Sequence, residues 1–176
     1  MMRSNFLRSC LACCLALAMY APLNTYAAPK KKKFKITSEL QNTKFMSMYK
    51  EALQKLRVGQ VDTAIGTATG LLRTYPRSPR TLSLLGYAYK TKKMYNKAID
   101  YFQRSSRLFN EKSEFFEKGQ VLYNAAYCYE LLKKRLAAVA AWNVYVSFAS
   151  SFPQEAASVA FARARIQALQ SVKVKK

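Results

Sequence analysis

The chain has 176 residues, of which 51% are hydrophobic, and carries 30 Lys and Arg against 9 Asp and Glu, with no histidine. It is long enough for one domain with its own core and too apolar to be disordered throughout. The missing histidine excludes a Ser-His-Asp triad, a Cys-His dyad and any His-bearing metal site within this chain. The formal charge of +21 predicts attraction to anionic surfaces.

Residues 1–27 have the pattern of a signal peptide. Arg3 and Arg8 precede an apolar run at residues 10–23, and small residues stand where a cleavage site needs them. We expect cleavage after Ala27 and a location in a bacterial periplasm or cell envelope. Two alternatives remain open: a mitochondrial presequence, which the compact apolar centre disfavours, and an uncleaved membrane anchor, for which the run is short.

Cleavage would remove three of the four cysteines and leave Cys128 alone. A single thiol forms no internal disulfide, so export would not be used to cross-link this fold. Cys128 lies between two tyrosines in an apolar helical segment, which predicts a buried, unreactive thiol.

Two lysine-rich tails flank the rest of the chain. Residues 28–37 and 173–176 are predicted to be solvated and disordered, because densely packed like charges repel. The alternative is an electrostatic tether to an anionic surface. The lysines of the N-terminal tail are Lys30, Lys31, Lys32, Lys33 and Lys35.

From about Ser38 onward the hydrophobic periodicity is helical, and no useful length alternates with period two, so we predict no strands. Gly59 ends the first helix and Pro76 follows the second. Ser78 is then a predicted N-cap, with Pro79 in the first helical position.

Four more helices follow, which makes seven. The fifth is expected to begin in the segment of Glu111, Glu114 and Glu117, whose spacing of three suggests a solvated helix face. The predicted spans are about 95–109, from that acidic segment to about 132, 136–151 and 153–172.

The helix pairs recur at a fixed distance. Ala64 and Ala98 begin equivalent second helices 34 residues apart, and Ala138 follows after 40, with six extra residues in the acidic segment. A helix-turn-helix unit with a period of 34 resembles the tetratricopeptide repeat (TPR).

The second unit, residues 79–112, carries the resemblance best, through Leu85, Gly86, Tyr89, Ala98 and Phe102. A first unit at about 45–78 agrees less fully, at Ala64, Ala68 and Pro76. A third unit at 119–152 matches at Ala125, Ala126, Tyr129, Ala138 and Trp142.

Close helix packing explains the pattern in the second unit. A glycine inside a helix costs about 1 kcal/mol relative to alanine, so its presence indicates a packing purpose. We expect Gly86 to face Ala98, with Tyr89 and Phe102 filling the space on either side.

The resemblance implies a right-handed superhelix of three repeats whose first helices line a concave groove. Four tyrosines among the groove positions suggest a surface for an extended or helical peptide, although any of them could be an ordinary core or rim residue. The groove positions are Met46, Tyr49, Leu53, Leu56, Arg80, Ser83, Tyr87, Lys90, Gln120, Tyr123, Tyr127 and Glu130.

One specialisation of the family is excluded. Chaperone-binding TPR proteins hold a terminal carboxylate with lysine, asparagine and arginine side chains. The corresponding positions here are Tyr49, Leu53, Leu84, Gln120 and Asn124, and this set lacks the required cations.

The seventh helix is predicted to cap the array, since a terminal repeat leaves apolar surface open. Phe161, Ala164, Ala168 and Val172 share one helix face, which we expect to cover the sixth helix. The sixth helix is apolar nearly all round, and a membrane span is the less favoured interpretation of it.

These observations predict a non-enzymatic adaptor that binds a protein partner in the groove, without cofactor or metal. The alternative function is binding of a polyanion or membrane surface through the basic tails, with lipid headgroups or glycans favoured and nucleic acid a less favoured ligand that stays open. Cytosolic secretion chaperones of similar repeat number are another relative, but the signal segment and the basic charge count against them.

Overall fold

The structure is a computed structural model that describes residues 38–171. The predicted signal peptide, both basic tails and Val172 lie outside the described residues. The helices are α1 Ser38–Gln41, α2 Thr43–Arg57, α3 Val61–Thr74, α4 Pro79–Thr91, α5 Tyr95–Leu108, α6 Phe115–Leu131, α7 Arg135–Ala149 and α8 Ala156–Ser171, with a 3₁₀ turn at Pro153–Glu155.

Every regular element of the described residues is helical, as predicted. From α2 to α8, each helix packs against the next one along the chain. Short connections between helices that pack in this order make antiparallel neighbours. The pairs α2–α3, α4–α5 and α6–α7 form three helical hairpins, and α8 packs on α7 at the end of the array.

The predicted start of α4 is confirmed. The Ser78 side chain accepts a 3.1 Å hydrogen bond from the Thr81 amide, and Pro79 occupies the first turn. The start of α4 is also bound to α5, because the buried Ser105 hydroxyl of α5 donates a 2.7 Å hydrogen bond to the Pro79 carbonyl. Capping thus fixes both where α4 begins and how it meets α5.

The three hairpins share one turn geometry. Gly59, Lys93 and Lys133 have φ values of 80°, 59° and 56°, and the amide of the following residue in each turn reaches back to a helix carbonyl at 2.9, 2.9 and 3.0 Å. This is the Schellman type of helix end, which needs a left-handed residue. Glycine adopts that conformation without strain, whereas the two lysines adopt it at a cost.

Gly86 makes room for an aromatic ring. A Cβ atom at this position would lie 2.6 Å from the Phe102 ring, and all three of its nearest atoms belong to that ring. The side chain nearest to Gly86 is therefore Phe102 and not Ala98, although Ala98 is fully buried as well. Tyr89 stacks on Tyr101 with ring centroids 5.3 Å apart.

The extra residues between the second and third hairpins form a folded loop. The Asn110 side chain accepts hydrogen bonds from the amides of Lys112 and Ser113, and Glu114 accepts one from the Asn110 amide. Glu114 is only 6% exposed, so the expected solvated acidic face is wrong at this residue. Its carboxylate is used to close the loop and to bind Arg80.

The capping helix buries a different face from the one expected. Val159 and Ala162 are buried in α8, and Ile166 and Leu169 pack beside them against α7. Phe161, Ala164 and Ala168 are exposed. Alanine is small and tolerates either environment, so the spacing of the alanines did not identify the buried face of α8. Burial of the larger aliphatic side chains, which removes more apolar area from water, determines which face packs against α7.

Within residues 38–171, no helix is both long and apolar enough to cross a bilayer. The segment considered as a span forms α7, which has 15 residues. Trp142 and Tyr145 of α7 are buried in the protein core.

Candidate functional site on the first helices

The candidate site is the side of the array formed by α2, α4, α6 and α8, named below the first-helix face. Its N-terminal part lies on α2, where Tyr49 stacks on Phe45 with ring centroids 5.8 Å apart. Leu53 packs partly buried against the cluster that includes Leu84 and Leu85. Three of the four predicted groove residues of α2 are thus partly buried and pack against the core while part of each side chain stays at the surface; they are Tyr49, Leu53 and Leu56. The fourth, Met46, is partly exposed.

Polar side chains connect α4 to α6. Lys90 Nζ donates to Asn124 Oδ1 at 2.6 Å and lies 5.2 Å from the centre of the Tyr127 ring. The Asn124 amide donates to the Gln120 carbonyl at 2.7 Å and to the Tyr87 hydroxyl at 3.4 Å. Asn124 was considered only as a position of the excluded clamp, but here it is the centre of a network within the site.

Arg80 links the same two helices at their other end. Its Nη2 donates to Glu117 at 2.9 Å and to Glu114 at 3.3 Å. Its Nε is buried and has no partner among the described residues. Ser83, one turn further on, is buried and donates to the Arg80 carbonyl at 2.8 Å. Arg80 and Ser83 are therefore engaged within the protein.

Glu130 connects α6 to both following helices. Its Oε1 accepts a 2.6 Å hydrogen bond from the Trp142 indole, and Arg165 of α8 binds its two carboxylate oxygens. Burial raises the pKa of Glu130, but the hydrogen bonds from Arg165 and Trp142 outweigh burial, so its pKa lies below the usual value of 4.5. The carboxylate is thus held in its charged form.

Contacts between repeats engage three cations of the first-helix face. Arg80 and Arg165 are paired with glutamates, and Lys90 is hydrogen-bonded to the neutral amide of Asn124, each about one repeat further along or back. A chain with a formal charge of +21 therefore places several of its few acids on this one face. The face offers a partner aromatic and polar groups together with the charge that Lys90 keeps.

Tyr123 is the centre of an aromatic cluster at the C-terminal part of the face. Its ring meets Trp142 edge-on at 4.9 Å and Tyr145 edge-on at 5.5 Å, and it stacks with Phe161 at 6.1 Å. Tyr145 in turn donates its hydroxyl to Glu155 at 3.0 Å. Such ring pairs hold one another in fixed orientations.

A cleft of about 470 Å³ lies beside this cluster, between α6 and the start of α8. Phe161 is 47% exposed and forms one wall of it. From the sequence, Phe161 was assigned to the buried face of a capping helix. Treating α8 as the first helix of a further repeat would have placed Phe161 on the first-helix face. The lining residues are Gly119, Gln120, Tyr123, Asn124, Tyr145, Glu155, Ala157, Ser158 and Phe161.

The tyrosine hydroxyls of the face remain protonated at neutral pH. Burial raises the pKa of Tyr87 to about 12, and burial likewise raises the pKa values of Tyr49 and Tyr123. A neutral phenol can both donate and accept hydrogen bonds. It therefore suits the alternating donors and acceptors of a peptide backbone.

Within the part of the chain that the structure describes, no three His, Cys, Asp or Glu residues are grouped so that they could hold a metal ion. Cys128 is buried, and burial raises the pKa of its thiol to about 11. A thiol with that pKa is a poor nucleophile at neutral pH. Neither a grouped set of metal ligands nor a reactive thiol is therefore found among the described residues.

No protein-family model matches the sequence, and no curated protein matches it. Solved structures do match. The type III secretion chaperone SycD of Yersinia enterocolitica, in complex with a peptide of the translocator YopD, is 14% identical over 75% of this chain and 96% of its own, with a TM-score of 0.64.

Two further structures give the same result. PcrH of Pseudomonas aeruginosa, in complex with the chaperone binding region of PopD, is 17% identical over 73% of this chain and 92% of its own, with a TM-score of 0.63. A T3SS complex from Aeromonas hydrophila is 17% identical over 74% of this chain and 83% of that one, with a TM-score of 0.64. These likenesses confirm the predicted fold class, an all-helical, TPR-like repeat array.

Proposed function

We propose that this protein is a non-enzymatic adaptor or chaperone of the TPR family that holds a segment of a partner protein on its first-helix face. The observation that carries the proposal is the near-neutral aromatic surface that runs from Tyr49 through Tyr87 and Tyr123 to the cleft at Phe161. Large, rigid aromatic side chains provide contact area at a low cost in conformational entropy.

The structural neighbours support this proposal. SycD and PcrH share the fold, and each was solved with a segment of another protein, a YopD peptide and the chaperone binding region of PopD. SycD is a secretion chaperone by name, a class that we ranked behind exported adaptors because of the signal segment and the basic charge. The proposal concerns the binding surface and does not depend on which of the two classes applies.

The chemistry of the face narrows the partner segment. Arg80 and Glu130 are paired with opposite charges within the protein, while Lys90 is bound by the neutral amide of Asn124 and keeps its charge, so a segment with many charges would find few to pair with. An amphipathic segment with apolar or aromatic residues at every third or fourth position, presented as a helix or an extended strand, would fill the cleft and stack on its rings. We therefore expect an apolar contact core with peptide hydrogen bonds at its edges.

The experiment is a selection of displayed random peptides of about 12 residues, long enough for three helical turns, against the full chain. Binding of the selected peptides would then be measured for the double variant Tyr127→Ala, Phe161→Ser. These two side chains are 37% and 47% exposed, so they can be changed with little loss of core. Tyr87 and Tyr123 are less suitable, because both rings pack against buried aromatics.

A matched control is Val144→Ser, which alters an equally exposed side chain on α7, a second helix. We expect the double variant to lose at least tenfold in affinity and the control to bind normally, both at about 50 mM and at about 500 mM salt, since apolar contacts are not screened as charge contacts are. Equal affinity of both variants for every selected peptide would refute the assignment of the face.

We further propose that the chain is exported to a periplasm or cell envelope. The support is the pattern of residues 1–27. Arg3 and Arg8 precede the apolar run at residues 10–23, and Ala27 ends the cleavage site that follows it. N-terminal sequencing of the protein from fractionated cells tests this. A mature chain that begins at residue 28 in the envelope fraction is expected, and an intact N-terminus in the cytosol would contradict it.

A further inference from the structure

The three helical hairpins place their turns side by side along one edge of the array. Lys92 of the second turn binds Asp62 at the start of α3, beside the first turn. Lys134 of the third turn donates to Asn96 at the start of α5, beside the second turn, at 3.2 Å. These two contacts join neighbouring turns. Residues 57–62, 91–97 and 131–136 are named below the turn edge.

The turn edge is strongly basic. Its three segments contain seven Lys and Arg residues and one acid, Asp62. The loops at the opposite ends of the helices, residues 75–78, 109–114 and 150–155, contain two cations and three acids. The charge of the helical array is therefore distributed unevenly between its two edges. The cations of the turn edge are Arg57, Lys92, Lys93, Lys97, Lys133, Lys134 and Arg135.

The turn edge also exposes aliphatic side chains beside these cations. Val58 is 56% exposed, Met94 37% and Leu136 80%, one in each turn, and Leu131 adds a fourth at 39%. Among the described residues, none of the large hydrophobic side chains exposed to this degree lies in the three opposite loops. Each turn of the edge thus exposes at least one aliphatic side chain near a basic residue.

Two of the lysines occupy strained positions. Lys93 and Lys133 have positive φ values, at the point of the turn where the first hairpin has Gly59. Glycine is the residue that this conformation favours. A lysine there adds an exposed charge at the tip of the turn in exchange for strain, and observed strain of this kind is a reason to look for a function.

We propose that the turn edge binds the surface of a bilayer that contains anionic phospholipids. Lysines that flank an aliphatic side chain can keep their charge at the phosphate groups while the aliphatic group enters the interface. The second and third turns each present such a unit, at Met94 and at Leu136, and the first turn adds Val58 beside Arg57. Each basic residue held near an anionic leaflet adds to the attraction.

The exposed apolar groups favour lipid over nucleic acid as the ligand. Surfaces that bind single-stranded nucleic acid use aromatic side chains on which bases stack, whereas the exposed apolar residues of the turn edge, such as Met94 and Leu136, are aliphatic. Aliphatic groups gain nothing from a sugar–phosphate backbone and gain burial in a lipid interface. The first-helix face is distinct from this edge, so a partner segment and a membrane could be bound together.

Vesicle binding by the full chain tests the proposal. The vesicles contain phosphatidylcholine with or without about one third phosphatidylglycerol, enough to give the surface a negative potential. The test variant is Lys93→Gly, Lys133→Gly, which removes two charges and replaces strained residues with the one that suits the turn. The matched control, Arg77→Gln, Lys112→Gln, removes two exposed charges from the opposite loops.

We expect the turn variant to bind anionic vesicles about tenfold more weakly than the native chain, in line with the loss of two cations. The control variant should lose less than twofold. Equal binding by the two variants would overturn the proposal, because binding would then arise from the tails or from net charge. If the turn variant lost binding to a duplex DNA probe but bound vesicles as well as the native chain, the proposal would be overturned in favour of nucleic acid as the ligand.

A second measurement detects insertion of the turn edge into the bilayer directly. Its reporter lies on the edge, so membrane binding by the basic tails alone would not produce the signal. The chain has one tryptophan, Trp142, which is fully buried, so Leu136→Trp adds a reporter on the edge. Quenching of this reporter by brominated phosphatidylcholine in anionic vesicles is expected. The comparison is Val144→Trp, on the same helix but away from the turn, at a site that is also exposed (54%, against 80% for Leu136). Equal quenching at the two sites would contradict insertion of the turn edge.

Discussion

Glu130 and Trp142 are joined by a 2.6 Å hydrogen bond from the indole Nε1 to the carboxylate Oε1. The bond crosses from the first helix of the third hairpin to its second helix, and Arg165 binds the same carboxylate from α8. A single acid thus holds three helices at the C-terminal end of the array. Its side chain is 7% exposed, so the contact is shielded from solvent.

Glu130→Ala is expected to destabilise the fold by about 2–3 kcal/mol, because it leaves a buried indole donor unpaired and removes a charge-assisted bond. Denaturant unfolding followed by Trp142 fluorescence measures this. The control is Glu51→Ala, which removes an exposed pair with Lys55 and should cost about 0.5 kcal/mol or less. Similar losses in the two variants would show that the Glu130 contacts contribute little.

The stability of the native protein should fall in acid partly through Glu130. Its pKa in the folded protein is below the usual 4.5, so the charged form is favoured by folding. The stabilisation is then fully present above about pH 5 and is lost as the pH falls through the folded pKa. Glu130→Gln cannot titrate, and its unfolding free energy should decline less between about pH 5 and pH 3. Parallel decline in both proteins would contradict the assignment.

Gly86→Ala is expected to destabilise the second hairpin by about 1–3 kcal/mol, because the added Cβ would lie 2.6 Å from the Phe102 ring. The matched control is Gly66→Ala in α3, where a Cβ meets nothing within 4 Å. This change should stabilise the helix by up to about 1 kcal/mol, since alanine is the better helix former. Urea midpoints of the two variants should therefore move in opposite directions.

Turn strain predicts another pair of opposite effects. Lys93→Gly should stabilise the protein by about 0.5 kcal/mol. Glycine removes the strain of a left-handed lysine, and the greater conformational freedom of glycine in the unfolded chain offsets part of that gain. Gly59→Ala places a Cβ at φ 80° and should cost about 1 kcal/mol. Thermal unfolding of both variants is the measurement. A lower melting temperature for Lys93→Gly would indicate that the lysine makes a stabilising contact.

Cys128 should resist alkylation in the folded protein. Its thiol is fully buried and its pKa is raised to about 11, so the reactive thiolate is scarce at pH 8. Treatment with iodoacetamide at that pH, followed by peptide mass mapping, should leave the peptide that contains Cys128 unmodified. The same peptide should react fully in denaturant. Rapid modification of the native protein would show that the helix opens readily.

Much of the architecture could be predicted from the chain alone. The spacing of Ala64, Ala98 and Ala138 indicated hairpins of fixed size, and Ser78 with Pro79 marked the start of α4 within one residue. These features are local: helix periodicity, caps and turns depend on neighbouring residues, which the sequence lists directly. The candidate groove residues, by contrast, were placed on first helices by the resemblance to the tetratricopeptide repeat.

The partners of those residues depended on the tertiary structure. Arg80 finds Glu114 and Glu117 in the next repeat, and no local rule distinguishes a solvated acid from one that an arginine will reach. Phe161 was assigned to a buried face and is exposed at the cleft. Contacts between repeats depend on helix rotation, which small changes in side-chain packing decide.

The sequence by itself therefore determined the all-helical repeat fold, the approximate positions of the helices of the three hairpins and the excess of positive charge. Only the tertiary structure decided how that charge is distributed: paired across repeats on the first-helix face, and collected with exposed aliphatic groups on the turn edge. The physical reason is that a period of 34 residues specifies which residues are equivalent. Which of them meet is fixed by the packing of one hairpin against the next.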